Sequence, residues 1–358
     1  MSAAFHALKV TALRRETDDA ISLRLSVPAD LQASYGFSPG QHLTVRQEIG
    51  GEEVRRNYSI CSAPHEGELR IGIKQISGGV FSTWAVNNLA VGDVIDVMPP
   101  HGSFTWSFGA RPKATYAGFA GGSGITPILS LLKSALMREP ASRFVLFYGN
   151  RDSASIMFLE EIAALKDRFI DRLEVYHFLD AEDEEVEIFN GRLDGEKVGQ
   201  ILGTLLDPAA LDATFICGPG PMMEAVEARL LGAGVPKDRI LLERFTVGEL
   251  SASKAAAARD LENQAAGRKV QIKLEGRRMT FPFDAEKGSI LENARAKALP
   301  APFACKAGVC ATCRAKVVEG EVAMKTNYGL SPEEVAQGYV LTCQAVPLTD
   351  HVSLDFDV

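Results

Sequence analysis

Three cysteines on one short loop constrain this chain more than any other feature. Cys305, Cys310 and Cys313 read C-x4-C-x2-C, and Cys343 closes the set further on. Thiolates are soft ligands suited to iron–sulfur clusters or zinc. This spacing is that of a [2Fe–2S] centre, whereas zinc sites more often use two short paired knuckles. Ala307, Gly308 and Ala311 keep the loop small, so that backbone N–H groups can approach the cluster sulfurs. A structural zinc and unrelated buried cysteines are the alternatives.

Cysteine clustering of this kind points to metal rather than disulfides. The start, Met1 to His6, has neither a basic segment nor an apolar one of the secretory type. No apolar run approaches the ~20 residues of a membrane span, and the expectation is a cytoplasmic protein. A net charge of −8 argues against a nucleic-acid role. Asp180, Glu182, Asp183, Glu184, Glu185 and Glu187 form one acidic cluster, read as a solvated loop.

The chain divides by pattern. Residues 1–110 carry short alternating runs (Ala20–Val27, His42–Gln47, Leu69–Gln75, Val94–Met98) punctuated by Pro-Gly and Gly-Gly, which predicts an antiparallel β-barrel. Residues 111–246 alternate strands with helices: Ala114–Ala120 then Thr126–Arg138, Phe144–Tyr148 then Ala154–Phe169, Thr214–Cys217 then Met222–Leu231. That rhythm predicts an α/β domain with a parallel sheet. Residues 247–267, rich in Ala, Ser and charge, read as a linker with some helical character. Residues 268–358 return to short strands (Lys269–Leu274, Arg278–Phe283), a helix near Ser289–Lys297 and the cysteine loop, an α+β pattern.

A flavin needs a cation for its pyrophosphate, an aromatic plane for its ring and a hydroxyl near its reactive N5. Arg56-Asn57-Tyr58-Ser59, on a predicted strand, supplies them, with Arg56 and Tyr58 on one face and Ser59 on the other. Gly78 and Gly79, followed by Phe81 and a helix start at Ser82-Thr83, offer N–H groups to phosphate. By itself the four-residue match is weak, and an ordinary surface strand is the plainer reading. The glycines and the cysteine set strengthen it.

A nicotinamide site is indicated by Gly121-Gly122-Ser123-Gly124-Ile125-Thr126-Pro127 after a predicted strand. Glycines let the backbone close on a pyrophosphate, Thr126 can cap the helix, and Pro127 suits its first position. A bare tight turn is the alternative. Cys217-Gly218-Pro219-Gly220 ends a later strand and frames the other side of a crevice. Arg151, after Tyr148-Gly149-Asn150, stands where a cation would favour a 2′-phosphate. With Asp152 beside it, the expectation is NADPH, with NADH the alternative.

Together these residues resemble the ferredoxin–NADP reductase superfamily with a C-terminal plant-type ferredoxin domain, over essentially the whole chain. The order flavin, nicotinamide, cluster resembles the reductase components of bacterial multicomponent oxygenases. Phe5-His6-Ala7-Leu8, Pro39-Gly40-Gln41-His42-Leu43, the Ala304–Cys313 run and Gly338–Gln344 resemble the reductases of phenylacetyl-CoA epoxidases. Ketosteroid hydroxylase reductases share the same order.

The resemblance implies FAD rather than FMN, a β-grasp C-terminal domain, and Ser59, Cys217 and Glu243 around the flavin N5 and nicotinamide C4. It also implies an aromatic cover two positions after that glutamate, a place held by Phe245, here with a long segment following. Hydride carries two electrons and a [2Fe–2S] cluster takes one, so a flavin between them acts as converter. His6, His42, His65, His101, His177 and His351 are scattered, and no Glu-x-x-His pair lies on a helix. The acceptor is therefore expected to be a separate protein, by resemblance a di-iron oxygenase of phenylacetate breakdown. Cys217 as a small buried filler and Phe245 as a core aromatic are the plainer alternatives.

Overall fold

The computed structural model describes residues 5–110, 113–182, 185–245 and 252–358. Two compact units form: His6–Val54 with Tyr58–Phe245, and the described parts of Thr246–Val358 with Phe5 and Arg55–Asn57. Residues 111, 112, 183, 184 and 246–251 lie outside the described set, and with them Asp183, Glu184 and the first part of the expected linker.

The N-terminal sheet is built from β1 (His6–Thr17), β2 (Ala20–Ser26), β3 (His42–Ile49), β4 (Glu52–Ser59), β5 (Leu69–Lys74) and β6 (Val94–Val97), with helix α1 (Val80–Asn88) between the last two. Strand order is β4-β3-β6-β1-β2-β5. A bridge between Ile60 and Ile71 joins its two edges, so the sheet closes into the expected antiparallel barrel. Leu8, Val10, Ile21, Leu23, Ile71 and Ile73 fill the interior. Sequence reading passed over β1, whose outward positions carry Lys9, Arg14 and Arg15 and blur the alternation.

The second sheet comprises β7 (Thr115–Gly121), β8 (Arg143–Asn150), β9 (Leu173–Leu179), β10 (Ala213–Cys217) and β11 (Ile240–Glu243). Between them run α2 (Ile125–Arg138), α3 (Leu159–Arg168), α4 (Gly195–Thr204) and α5 (Gly220–Gly232). Its order is β11-β10-β7-β8-β9 and every pair is parallel. Helices cover both faces, so its strands are buried almost throughout. The single helix expected over Ala154–Phe169 is interrupted. A 3-10 turn at Ser153–Ser155 gives way to Phe158 in the left-handed region (φ 60°), and α3 starts only after it.

The C-terminal unit contains α6 (Ala252–Gln264), β12 (Lys269–Leu274), β13 (Arg277–Pro282), α7 (Ile290–Ala296), β14 (Arg314–Glu319), β15 (Val322–Met324), α8 (Pro332–Ala336), β16 (Tyr339–Leu341), β17 (Ala345–Pro347) and β18 (His351–Asp355). Strand order is β13-β12-β18-β14-β16, with β12 and β18 parallel and the other pairs antiparallel. Helix α7, capped by the Ser289 hydroxyl accepting from Glu292 N, buries Ile290 and Leu291 against the sheet in a β-grasp arrangement. The described end of the expected linker is the helix α6. Ala265 just beyond it is buried in this core, and Glu262 pairs with Lys325 at 2.5 Å.

Candidate functional site

Strand order in the parallel sheet reverses between β7 and β10, and ligands of such sheets bind outside the carboxyl ends of the strands at that point. There Ala120 pairs with Cys217, and the two following loops meet backbone to backbone. A Cβ on Gly124 would stand 2.0 Å from Cys217 O, and one on Gly218 would stand 2.9 Å from Gly121 N. Only glycine satisfies either position. Tyr148 donates from its hydroxyl to Gly122 O (3.0 Å) and pins the first loop.

Helix α2 begins at Ile125, directly after a 3-10 turn over Gly122–Gly124. Thr126 is therefore inside the helix and not its cap. Its hydroxyl donates to Ser123 O (2.9 Å), and Gly124 holds the cap position. The Ile125 N–H is bonded back to Gly122 O and Ser123 O, so the 3-10 turn runs directly into the helix.

Cys217 is fully buried, and its register partner on β11 is Glu243. Burial first, then the Glu243 charge, pushes the thiol well above its ordinary value. It is a neutral thiol and no ready nucleophile.

Ser59 ends β4 at 2% exposure, and its Oγ has no hydrogen-bond partner. A buried polar atom left so costs about 1–3 kcal/mol, and a flavin edge offering a polar atom there would satisfy it. Residues next to Ser59 reach toward the other sheet. Ile60 N donates to Gln41 O (2.9 Å), and Nδ1 of the adjoining His42 lies 3.7 Å from Glu243 Oε1. Ser59 and the Cys217–Glu243 pair thus occupy the same edge of the larger unit.

Other flavin-lobe expectations divide. Tyr58 is half-buried, with its ring 5.6 Å from that of Phe81. Phe81 is wholly inside the barrel core and backs Tyr58 rather than reaching a ligand. Arg56 is exposed, its guanidinium donating to Arg55 O (2.7 Å), and Asn57 is half-buried. Helix α1 starts at Val80 with Gly79 as cap, not at Ser82-Thr83. The Ser82 hydroxyl accepts from Ile76 N (3.2 Å) and Thr83 N donates to Gly79 O (3.0 Å), so both residues shape the turn. Gly78 (φ 71°) takes a conformation suited to glycine, and a Cβ on Gly79 would strike Ser82 Oγ at 2.4 Å.

Toward the coenzyme's far end, Arg151 is 71% exposed and its Nε contacts Asp152 Oδ2 at 2.8 Å. Asp152 also accepts from Ser155 N (2.9 Å) and caps the turn that follows. Phe245 is 41% exposed, so it is not a core aromatic of the last strand.

Two groupings escaped the sequence reading. His42 and His101 pack edge to face at 4.3 Å beside Glu243, although they look scattered along the chain. Lys133, 3% exposed, bridges Glu66 (2.7 Å) and Glu161 (2.9 Å), and Arg70 grips Glu161 at 2.6 Å. This network ties the barrel to α2 and α3. Its one sequence signal was a lone lysine on the apolar face of α2.

In the C-terminal unit the four expected thiols fall into two pairs. Cys305 N donates to Cys310 Sγ (3.5 Å), and Ala307 N to Cys305 Sγ (3.3 Å). Hydrogen bonding from Cys305 holds the Cys310 thiol below its ordinary value, and hydrogen bonding from Cys313 does the same for Cys343. Among the described residues no three His, Cys, Asp or Glu side chains converge on one point as a single ion requires. The loop bearing Cys305, Cys310 and Cys313 and the turn bearing Cys343 supply the four thiols that a [2Fe–2S] core takes. Positive φ at Lys306 (55°), Gly308 (76°) and Ala311 (53°) bends the loop around that space.

Comparison with known proteins matches these regions in the same order. Models of an oxidoreductase FAD-binding domain, an oxidoreductase NAD-binding domain and a 2Fe-2S iron-sulfur cluster binding domain match residues 7–106, 119–228 and 272–348. The chain is 42% identical to one of the subunits of 1,2-phenylacetyl-CoA epoxidase from Escherichia coli, covering 99% of this chain and 98% of that one. This is a flavin- and iron–sulfur-dependent reductase of the ferredoxin–NADP reductase superfamily.

The ferredoxin reductase component of 3-ketosteroid-9-alpha-monooxygenase from Rhodococcus rhodochrous is 34% identical, over 98% of this chain and 96% of that one. Phthalate dioxygenase reductase shares the fold, with a TM-score of 0.57 and 22% identity over 98% of each chain. As a member of this family the reductase binds FAD, a pyridine nucleotide and a [2Fe–2S] cluster, and moves electrons among them. No described helix is long and apolar enough to cross a membrane.

Proposed function

We propose that this reductase takes hydride from NADPH and delivers single electrons to a di-iron oxygenase of the phenylacetyl-CoA epoxidase type in the cytoplasm. The observation that carries the hydride site is the buried, partnerless Ser59 hydroxyl at the same edge as Cys217 and Glu243. In this reading Ser59 holds the reactive edge of FAD, and Tyr58 lies against its ring. Arg56, Asn57 and the turn through Gly78, Gly79, Ser82 and Thr83 lie along its phosphates. Gly122, Gly124, Thr126 and Gly218 form the nicotinamide side, with Glu243 and the neutral Cys217 thiol beside the reacting carbons and Phe245 the cover. Bound flavin supplies the conversion of a two-electron input into one-electron output. Cys305, Cys310, Cys313 and Cys343 hold the cluster.

Full-length identity of 42% to the Escherichia coli epoxidase chain, against 34% to the ketosteroid component, favours the epoxidase as acceptor. The encounter is transient, because a shuttle must release after each electron, and weak redox pairs of this kind bury under about 1,200 Å². A mixture of this protein, NADPH, oxygen, phenylacetyl-CoA and the epoxidase oxygenase component should yield epoxide only when this chain is present. Support of a steroid hydroxylase, with none of the epoxidase, would reassign the partner. NADPH preference is assigned to Arg151, the exposed cation at the end of β8. Arg151→Ala should lower NADPH turnover by roughly tenfold while leaving NADH turnover nearly unchanged. A wild-type preference for NADH would remove that assignment.

A further inference from the structure

Gln344 follows Cys343 in the turn between β16 and β17 that closes the cysteine set. Its side chain turns back over the cluster loop. Nε2 donates to Lys306 O at 2.9 Å and stands 3.9 Å from Cys343 Sγ, within reach of a sulfur acceptor. A Cβ on Gly308 would come within 3.0 Å of Gln344 Cγ, so the glycine leaves room for this side chain to lie flat on the loop. Gly308 O in turn accepts from Tyr328 N (2.9 Å) and Gly329 N (3.0 Å), which fixes the surface beneath. One amide group therefore spans two ligand-bearing segments that are far apart in the chain.

We infer that Gln344 is a positioning residue that sets the cluster's reduction potential, by donating to the Cys343 sulfur and strapping that turn to the loop at Lys306. The inference rests on the reading of the four cysteines as [2Fe–2S] ligands. Reduction adds negative charge, shared by the sulfurs, and a donor aimed at a sulfur stabilises the reduced form more than the oxidised one. Hydrogen bonds to cluster sulfurs are among the factors that set such potentials. A higher cluster potential favours passage of each electron from the flavin.

The test is a spectroelectrochemical titration of the purified full-length holoprotein, followed by the cluster's visible and electron paramagnetic resonance signals. Gln344→Met keeps side-chain length and cover but removes the donor. It should disfavour reduction by about three- to tenfold, a fall of roughly 28–59 mV at 59 mV per tenfold for one electron. Gln344→Lys restores a donor and should hold the potential at or above wild type. An intact cluster spectrum in Gln344→Met with an unshifted potential overturns the inference while leaving the ligand reading in place. If Gln344→Met loses its cluster on purification, Gln344→Lys decides. Retention at or above the wild-type potential supports the inference, and cluster loss or a fall in potential overturns it. A wild-type protein lacking two irons and two labile sulfides per chain fails the ligand reading first, and the inference with it.

Discussion

Ser59 shows how much a single side chain in this protein owes to its surroundings. On a solvated strand its hydroxyl would bind water. At the end of β4 it is buried without a partner, a cost that the flavin atom proposed to lie there would offset. Ser59→Ala should therefore slow flavin reduction by NADPH, read by stopped flow, far more than it raises the nicotinamide dissociation constant, because it removes a group acting at the reacting atom. An unchanged hydride-transfer rate would refute the role. Its identity as the hydroxyl of Arg-x-Tyr-Ser was legible in the sequence. Its neighbours were not, since His42, His101 and Glu243 come from three separate parts of the chain and share no local spacing.

Among the elements, α2 has two functions along its length. Its N-terminus carries the glycine loop, and about one and a half turns later Ser130 donates to Ser62 O (2.6 Å), close after Ser59 in the chain. Lys133 then joins Glu66 of the barrel to Glu161 of α3. Removing one member of a buried ion network leaves the others uncompensated, so Lys133→Met should destabilise the larger unit by about 3–5 kcal/mol, measured by denaturant unfolding of the holoprotein. The same network carries a pH dependence. Burial by itself would raise the Glu161 carboxyl, but hydrogen bonding from Arg70 and the Lys133 and Arg70 charges outweigh it and hold the group below its ordinary value of 4.5. A depressed folded value means stability that is complete above pH 4.5 and lost as pH falls through the folded value. The acid limb of an unfolding curve should accordingly flatten in Glu161→Gln, and an unchanged limb would exclude this carboxylate as its source.

At the scale of the whole molecule, the four clustered cysteines and the proposed hydride site (Ser59, Cys217, Glu243) lie in different compact units, each with its own core. Cys310→Ser should abolish the cluster's visible absorption and electron delivery to a protein acceptor. NADPH-dependent reduction of ferricyanide, which draws on the flavin directly, should persist at close to the wild-type rate. Loss of both activities together would mean that the units depend on one another for folding. The wild-type cluster should titrate near the plant-type end of the range, around −400 mV, well below Rieske centres.

Local signals let the sequence by itself determine the three-part plan. C-x4-C-x2-C places three candidate ligands on one loop. Apolar alternation separates a barrel from a parallel sheet, and glycine runs mark where backbones must approach a phosphate or one another. Each of these is written in neighbouring residues, because turn conformation and strand periodicity are local properties. The helix starts at Val80 and Ile125 were misplaced and the break at Phe158 was not foreseen from sequence, because first-turn geometry depends on what the preceding loop packs against. Only the tertiary structure decided that His42 faces Glu243, that Lys133 locks the barrel to α2 and α3, and that Gln344 straps the cluster loop at Lys306. Those partners lie far apart along the chain, and their meeting is set by how sheets close and helices pack, which no one-dimensional pattern records.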